Sequence, residues 1–134
     1  RLLEDLLGMC KEVKINGELL AVNPKIRHQL ATFAINVEVS RMLSYRVISM
    51  QSKGEVPNKE ASVAKLFSTD SSRQMTRSAM EFTGMLGQLD RDSRWSPLKG
   101  RLMRGYLSAA CTAGGGSQEI QRNIIAMRGL GLPR

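Results

Sequence analysis

Apolar residues recur every three or four positions along most of the chain, which is the spacing of one face of an α-helix. Near the start, five such side chains share one face: Leu2, Leu3, Leu6, Leu7 and Cys10. We expect this first helix to end near residues 14–17. Because it begins without a capping residue and without Met, we expect the chain to be a piece of a longer protein.

A long second helix is predicted from Pro24 to about Lys53. Asn23 is a favoured residue for an N-cap, and proline is favoured in the first helical turn. Glycine and proline in residues 54–58 predict a turn that ends this helix.

The third predicted helix runs from about Lys59 to Met85 and has a polar middle at residues 68–72. A charged loop over residues 86–97 precedes a shorter helix that ends near Ala110. No segment alternates apolar and polar residues as a strand does. The pattern therefore predicts an all-α fold, an up-and-down four-helix bundle with an extra short C-terminal helix and no sheet.

The composition narrows the class of protein. Apolar residues make up 42% of the 134 residues and aromatic ones only 4%, which suits helices packed through aliphatic side chains. The net charge of +8 is spread along the chain, as on a solvated surface, and it also suits an anionic ligand. Cys10 and Cys111 stand at unrelated positions, which favours a reducing, cytoplasmic location over a disulfide scaffold or a metal site. No apolar run approaches the about eighteen residues that a membrane span requires.

The last twenty-one residues combine a glycine run with a predicted helix. Ser117 follows three glycines and stands where an N-cap belongs. The helix has an apolar stripe and an opposite polar face, the stripe formed by Ile120, Ile124 and Met127 and the polar face by Gln121, Asn123 and Arg128. Such a loop and helix favour an anion or a phosphate, although the pattern alone equally fits a flexible linker before a capped helix.

The same segment resembles a known signature. Residues 114–126 read Gly-Gly-Gly-Ser-Gln-Glu-Ile-Gln-Arg-Asn-Ile-Ile-Ala, which is similar to the C-terminal signature of the acyl-CoA dehydrogenases. Ile-Arg-His-Gln-Leu-Ala at 26–31 and Glu-Ala-Ser-Val-Ala-Lys at 60–65 are similar to two further runs of that family. The resemblance implies that residues 1–134 are the helical C-terminal domain, with an N-terminal helical and a middle β domain missing. It also implies FAD as cofactor, an acyl-CoA substrate and an electron-transfer flavoprotein as partner.

The resemblance assigns FAD contacts to six positions. Lys14, one residue past the position of the family's arginine, would supply a positive charge for the FAD pyrophosphate. Glu81 and Gly84 fall in the family's run that meets the adenine of a neighbouring subunit's FAD. The other three candidates lie in the tail. The six cofactor-binding candidates are Lys14, Glu81, Gly84, Gly116, Ser117 and Glu119. Since the family's helical domains meet at the centre of a tetramer, the resemblance also implies a homo- or hetero-oligomer.

Several functional positions depart from the family, among them the catalytic base and a glutamine at the start of the long helix. The catalytic base, a glutamate in many members, falls on Gly115, and glycine cannot accept a proton. Pro24 replaces a glutamine and has no N–H to donate. We therefore assign no catalytic residue and expect the chain alone to be inactive. Its ending resembles a bacterial subgroup with heteromeric, sterol-side-chain-type enzymes, in which one subunit can lose its cofactor residues.

Other residues and one rival function stay open. His28 lacks a partner suggested by spacing and fits a structural or surface role, and Asp70 fits either a functional groove or a structural acid. The rival is a basic helical module that binds nucleic acid or a protein. Nucleic acid is a poor fit as its partner, because the sequence shows no stripe of Lys or Arg along one helix and has few aromatic residues for base stacking.

Overall fold

The computed structural model describes residues 2–110 and 114–133, and these are almost entirely helical. Its α-helices are α1 Leu2–Glu12, α2 Pro24–Ser52, α3 Asn58–Thr83, α4 Arg101–Ala110 and α5 Gln118–Ile124. The predicted helices are thus present. The ends of α2 and α3 lie within two residues of their expected positions, whereas α4 begins at Arg101, four residues after the predicted start at Pro97. No helix within 2–110 or 114–133 is long and apolar enough to cross a membrane.

A small hairpin corrects the prediction that no sheet forms. Strand β1, Lys14–Ile15, pairs antiparallel with β2, Glu18–Leu19. The turn between them is Asn16-Gly17, and both residues have positive φ, 52° and 85°. Asn-Gly is favoured in the two-residue turn of a hairpin because both central residues must adopt this left-handed conformation.

The start of α2 follows the predicted capping arrangement. The Asn23 side-chain oxygen accepts a hydrogen bond from the Lys25 N–H at 2.9 Å, and Pro24 is the first helical residue. This cap satisfies a donor that has no acceptor within the helix. The boundary read from the sequence is therefore confirmed.

The chain divides into two compact units. The first comprises Arg1–Ile35 and Ser72–Ala110, and the second comprises Asn36–Ser71 and Cys111–Arg134. Among the described residues, every buried Leu, Ile, Met, Phe, Ala and Cys belongs to the first unit, including Leu6, Phe33, Ala79 and Leu102. An ion pair between Asp5 and Arg101, with a 2.6 Å N–O distance, joins α1 to α4 in this unit.

Polar residues of α3 bond to their own helix. The Ser68 hydroxyl donates to the Lys65 carbonyl at 3.2 Å, and the buried Thr83 hydroxyl donates to the Ala79 carbonyl at 2.8 Å. Short hydroxyl side chains in a helix often bond back in this way. Ser68 in the polar middle and Thr83 at the end of α3 therefore need no external partner for their hydroxyl groups.

The segment between α3 and α4 is more ordered than the predicted loop. It contains two 3₁₀ turns, Gly84–Gln88 and Pro97–Gly100. Leu98 and Lys99 both have a φ of 51°, and Gly100 follows with a φ of 71°. The Ser96 hydroxyl holds this turn, because it accepts from the Gly100 N–H at 2.8 Å and donates to the Leu89 carbonyl at 2.7 Å.

Candidate cofactor-contact site

The glycine loop before α5 has the backbone freedom that its sequence predicts. Gly115 and Gly116 have φ of 75° and 95°, a region that favours glycine over other residues. The Ser117 hydroxyl accepts from the Ile120 N–H at 3.5 Å and caps α5. The cap predicted from the sequence is confirmed.

Two side chains hold consecutive carbonyl groups of this loop. The Gln121 Nε2 donates to the Gly115 carbonyl at 2.7 Å, and the Lys65 ammonium on α3 donates to the Gly116 carbonyl. A Cβ on Gly116 would lie 2.8 Å from the Gln121 Nε2, so the close approach needs glycine. We call this pair of contacts the loop clamp. It connects α3 and α5 to the loop within the second unit.

The predicted faces of α5 were wrong at two residues. Gln121, expected on the outer polar face, is only 6% exposed, while Ile120, expected on the apolar stripe, is 52% exposed. The physical reason is the loop clamp, since the Gly115 carbonyl gives the buried amide a partner and a buried polar group without one is costly. After α5 the helix widens into a π-turn at Ile125–Gly129.

The two remaining tail candidates lie in different settings. Gly116 has no side chain and its carbonyl accepts a hydrogen bond from Lys65. Gly116 therefore shapes the main chain of the loop. Glu119 is exposed in the first turn of α5, where a carboxylate interacts favourably with the helix dipole.

The other three candidates lie in the first unit. Lys14 is exposed on β1, and Glu81 is exposed near the end of α3, where it pairs with Arg77 at an N–O distance of 3.3 Å. Gly84 has a φ of 53° and open space where a Cβ would stand. Glu81 lines a cavity of about 530 Å³ together with Asn16 of the hairpin turn, while Lys14 and Gly84 are not among its lining residues.

Comparison with known proteins decides the family. A model of the acyl-CoA dehydrogenase C-terminal domain matches residues 1–130. The chain belongs to the acyl-CoA dehydrogenase family. The all-helical fold expected from the resemblance is thereby confirmed.

Several acyl-CoA dehydrogenases are similar over nearly the whole chain. FadE26 of Mycobacterium tuberculosis is 36% identical over 124 residues, which are 88% of this chain and 30% of that protein. The ChsE4-ChsE5 complex from Mycobacterium tuberculosis has a TM-score of 0.86 at 32% identity, covering 99% of this chain and 35% of that one. A Tcur3481-Tcur3483 steroid ACAD has a TM-score of 0.87 at 25% identity, covering 100% and 34%. The chain spans about a third of the length of the proteins it matches.

Reasoning from the sequence did not predict the role of Lys65 in this acyl-CoA dehydrogenase domain. Its contact with Gly116 spans 51 positions, which helical periodicity cannot detect. The available signal was the run Glu-Ala-Ser-Val-Ala-Lys at 60–65, which ends on this lysine and resembles a family motif.

The residues considered for catalysis are all exposed. Gly115, at the position that the resemblance assigns to the base, is an exposed glycine, and both His28 and Asp70 are exposed. Within 2–110 and 114–133, no three His, Cys, Asp or Glu side chains come together as metal ligands. Burial raises the pKa of the Cys10 thiol, which keeps it protonated, and Cys111 lies outside the described residues.

Proposed function

We propose that this chain is the FAD- and subunit-contacting C-terminal domain of a flavin-dependent acyl-CoA dehydrogenase. The parent enzyme would remove one hydrogen each from Cα and Cβ of an acyl-CoA thioester and pass the electrons to an electron-transfer flavoprotein. The observation that carries this proposal is the family match over residues 1–130. The domain would work with a helical and a β domain that precede it, in a cytoplasmic enzyme.

The exposed residues at the candidate positions fit FAD in type. Lys14 offers a cation for the pyrophosphate, and the open space at Gly84 lets a ligand approach the main chain. Glu81 offers a carboxylate that accepts hydrogen bonds from an amine or a hydroxyl group. Gly116, Ser117 and Glu119 would shape the contact at the tail. FAD, when bound, supplies the acceptor for the hydride that leaves Cβ.

The α-proton requires a base outside the tail loop. Since Gly115 carries no side chain, we propose that a carboxylate elsewhere in the assembled enzyme takes this proton. The loop clamp then serves cofactor or subunit contact. We expect the 134-residue chain alone to reduce no electron acceptor with any acyl-CoA, and reduction by it would contradict this assignment.

We also propose that the domain works in a homo- or hetero-oligomer. Its second unit exposes large apolar side chains on α2, namely Val39, Met42, Tyr45 and Ile48. These four side chains lie on more than one side of the helix, and large exposed apolar side chains are typical of contact surfaces, because apolar area in water is unfavourable. A similar structure, ChsE4-ChsE5, is a complex of two different proteins, which supports a heteromeric assembly. Light scattering that finds only monomers of the intact protein would contradict the oligomer.

The flavin test uses the full-length gene product that carries this chain, purified with any partner that co-purifies. We expect bound FAD in its visible absorption spectrum and acyl-CoA-dependent reduction of an electron acceptor. Lys14→Met should raise the dissociation constant for FAD, whereas Lys53→Met, an exposed lysine beyond α2, should leave it unchanged. Absence of both flavin and acyl-CoA-dependent reduction would overturn the proposed function.

A further inference from the structure

A second cavity, of about 410 Å³, lies at the start of α3 within the second unit. Gly115 of the tail loop lines the cavity together with six polar or charged residues, Gln51, Asn58, Ser62, Lys65, Gln121 and Arg128. We propose that this cavity binds a phosphate group, held by the side chains of Arg128 and Ser62. This inference does not depend on the proposed function.

The charge of the cavity favours an anion. Lys65 and Arg128 are its charged lining residues, and the lining contains no Asp or Glu. Arg128 makes no hydrogen bond or ion pair with the described residues. The carboxylate of Glu60 in the same turn pairs with Lys59 at an N–O distance of 3.6 Å and does not line the cavity. A guanidinium without a protein partner binds phosphate oxygens well because it presents several donors in one plane.

The main-chain N–H groups of the lining residues at the start of α3 already have acceptors. The Asn58 N–H donates to the Val56 carbonyl at 2.9 Å and the Ala61 N–H donates to the Pro57 carbonyl at 2.8 Å. The donors to a bound phosphate are therefore the side chains of Arg128 and Ser62.

Ser62 supplies independent evidence of a ligand. The residue is 5% exposed and lines the cavity, and its hydroxyl has no hydrogen-bond partner among the described residues. A serine one turn into a helix commonly bonds back to its own helix, as Ser68 does here. A hydroxyl that faces a basic cavity without a protein partner is suited to donate to a phosphate oxygen.

Three molecules could present a phosphate group to this cavity. Coenzyme A and FAD both carry phosphate groups, and inorganic phosphate is a third ligand with the same oxygens. The test therefore measures phosphate first and the two larger molecules by competition.

Isothermal titration of inorganic phosphate into the intact protein provides the measurement. We expect saturable binding that Arg128→Gln weakens about tenfold and Ser62→Ala weakens about threefold, since each loses one donor to an anion. The matched control is Arg122→Gln, which removes the same charge from α5 at a residue that pairs with Gln118 and does not line the cavity. Its affinity for phosphate should stay within about twofold of the parent. Circular dichroism of each variant verifies that the helices are retained.

Competition then identifies the source. Displacement of phosphate by coenzyme A or by FAD supports the site and names the molecule that uses it, and displacement by neither supports free phosphate as the ligand. The proposal is overturned if phosphate binding does not saturate. It is equally overturned if Arg122→Gln and Arg128→Gln weaken binding to the same degree, because the effect would then come from net charge alone.

Discussion

Replacing Lys65 by methionine should loosen the tail loop before α5. The ammonium group donates to the Gly116 carbonyl, and methionine keeps most of the aliphatic length while removing the donor. A hydrogen bond from a charged group contributes about 1.5–3 kcal/mol. The Lys65 side chain is half-buried, so the lower limit of about 1.5 kcal/mol applies because solvent screens part of the interaction. This energy corresponds to a roughly tenfold more frequent opening of the loop.

Hydrogen exchange measures that opening directly. The Gln121 N–H donates to the Ser117 carbonyl at 3.0 Å and is released when the loop opens. We expect Lys65→Met to lower the protection of this amide about tenfold. Lys65→Arg should restore most of it, and Lys53→Met, in the exposed turn after α2, should change nothing. If Lys65→Met leaves the protection of Gln121 intact, the loop clamp does not stabilise the loop and the reasoning fails.

Three further outcomes concern the first unit and the turns. Gly100→Ala should lower the free energy of unfolding by about 2–4 kcal/mol, because the new Cβ would lie 2.6 Å from the backbone nitrogen of Arg91. Gly54→Ala has a similar φ but open space around the new Cβ, so it should lower this free energy by only about 1 kcal/mol. Urea unfolding of the two variants measures the difference. Leu102→Ala should cost about 3 kcal/mol in the same assay, since the side chain is 1% exposed, and Leu107→Ala, 59% exposed on the same helix, about 0.5 kcal/mol or less. Burial raises the pKa of the Cys10 thiol above its usual 9.0. The thiol's contribution to the free energy of unfolding should therefore be constant below pH 9.0 and fall as the pH rises through the raised pKa. Urea unfolding at a series of pH values measures this, and a stability that increases above pH 9.0 would contradict a buried thiol.

Helix positions followed from local signals in the sequence. Asn23 and Pro24 predicted the start of α2, and the turn that contains Gly54 and Pro57 predicted its end. Both signals are local, because capping residues and helix breakers act within a few residues. The hairpin was missed for the converse reason. Strands of two residues are too short to show alternation, and the only local signal was the Asn16-Gly17 turn.

The candidate site was less accessible to sequence reasoning. Periodicity predicted Gln121 on the exposed face of α5 because glutamine is polar. In the structure its side chain is buried and donates a hydrogen bond to the Gly115 carbonyl. The role of Lys65 depends on a contact between distant segments, which only the folded chain reveals. The pattern along α5 thus predicted a helix there, but not which of its side chains is buried, because a neighbouring loop supplies the partner of Gln121.

The loop clamp also has a thermodynamic consequence. Lys65 lies on α3 while its acceptor precedes α5, so closure of the loop and any ligand that favours the closed loop share one equilibrium. Coupling of this kind is reciprocal, so a saturating ligand that binds the closed loop more tightly than the open loop must increase the ratio of closed to open loops by the same factor. A substitution on α3 can therefore change binding at the tail without touching the ligand.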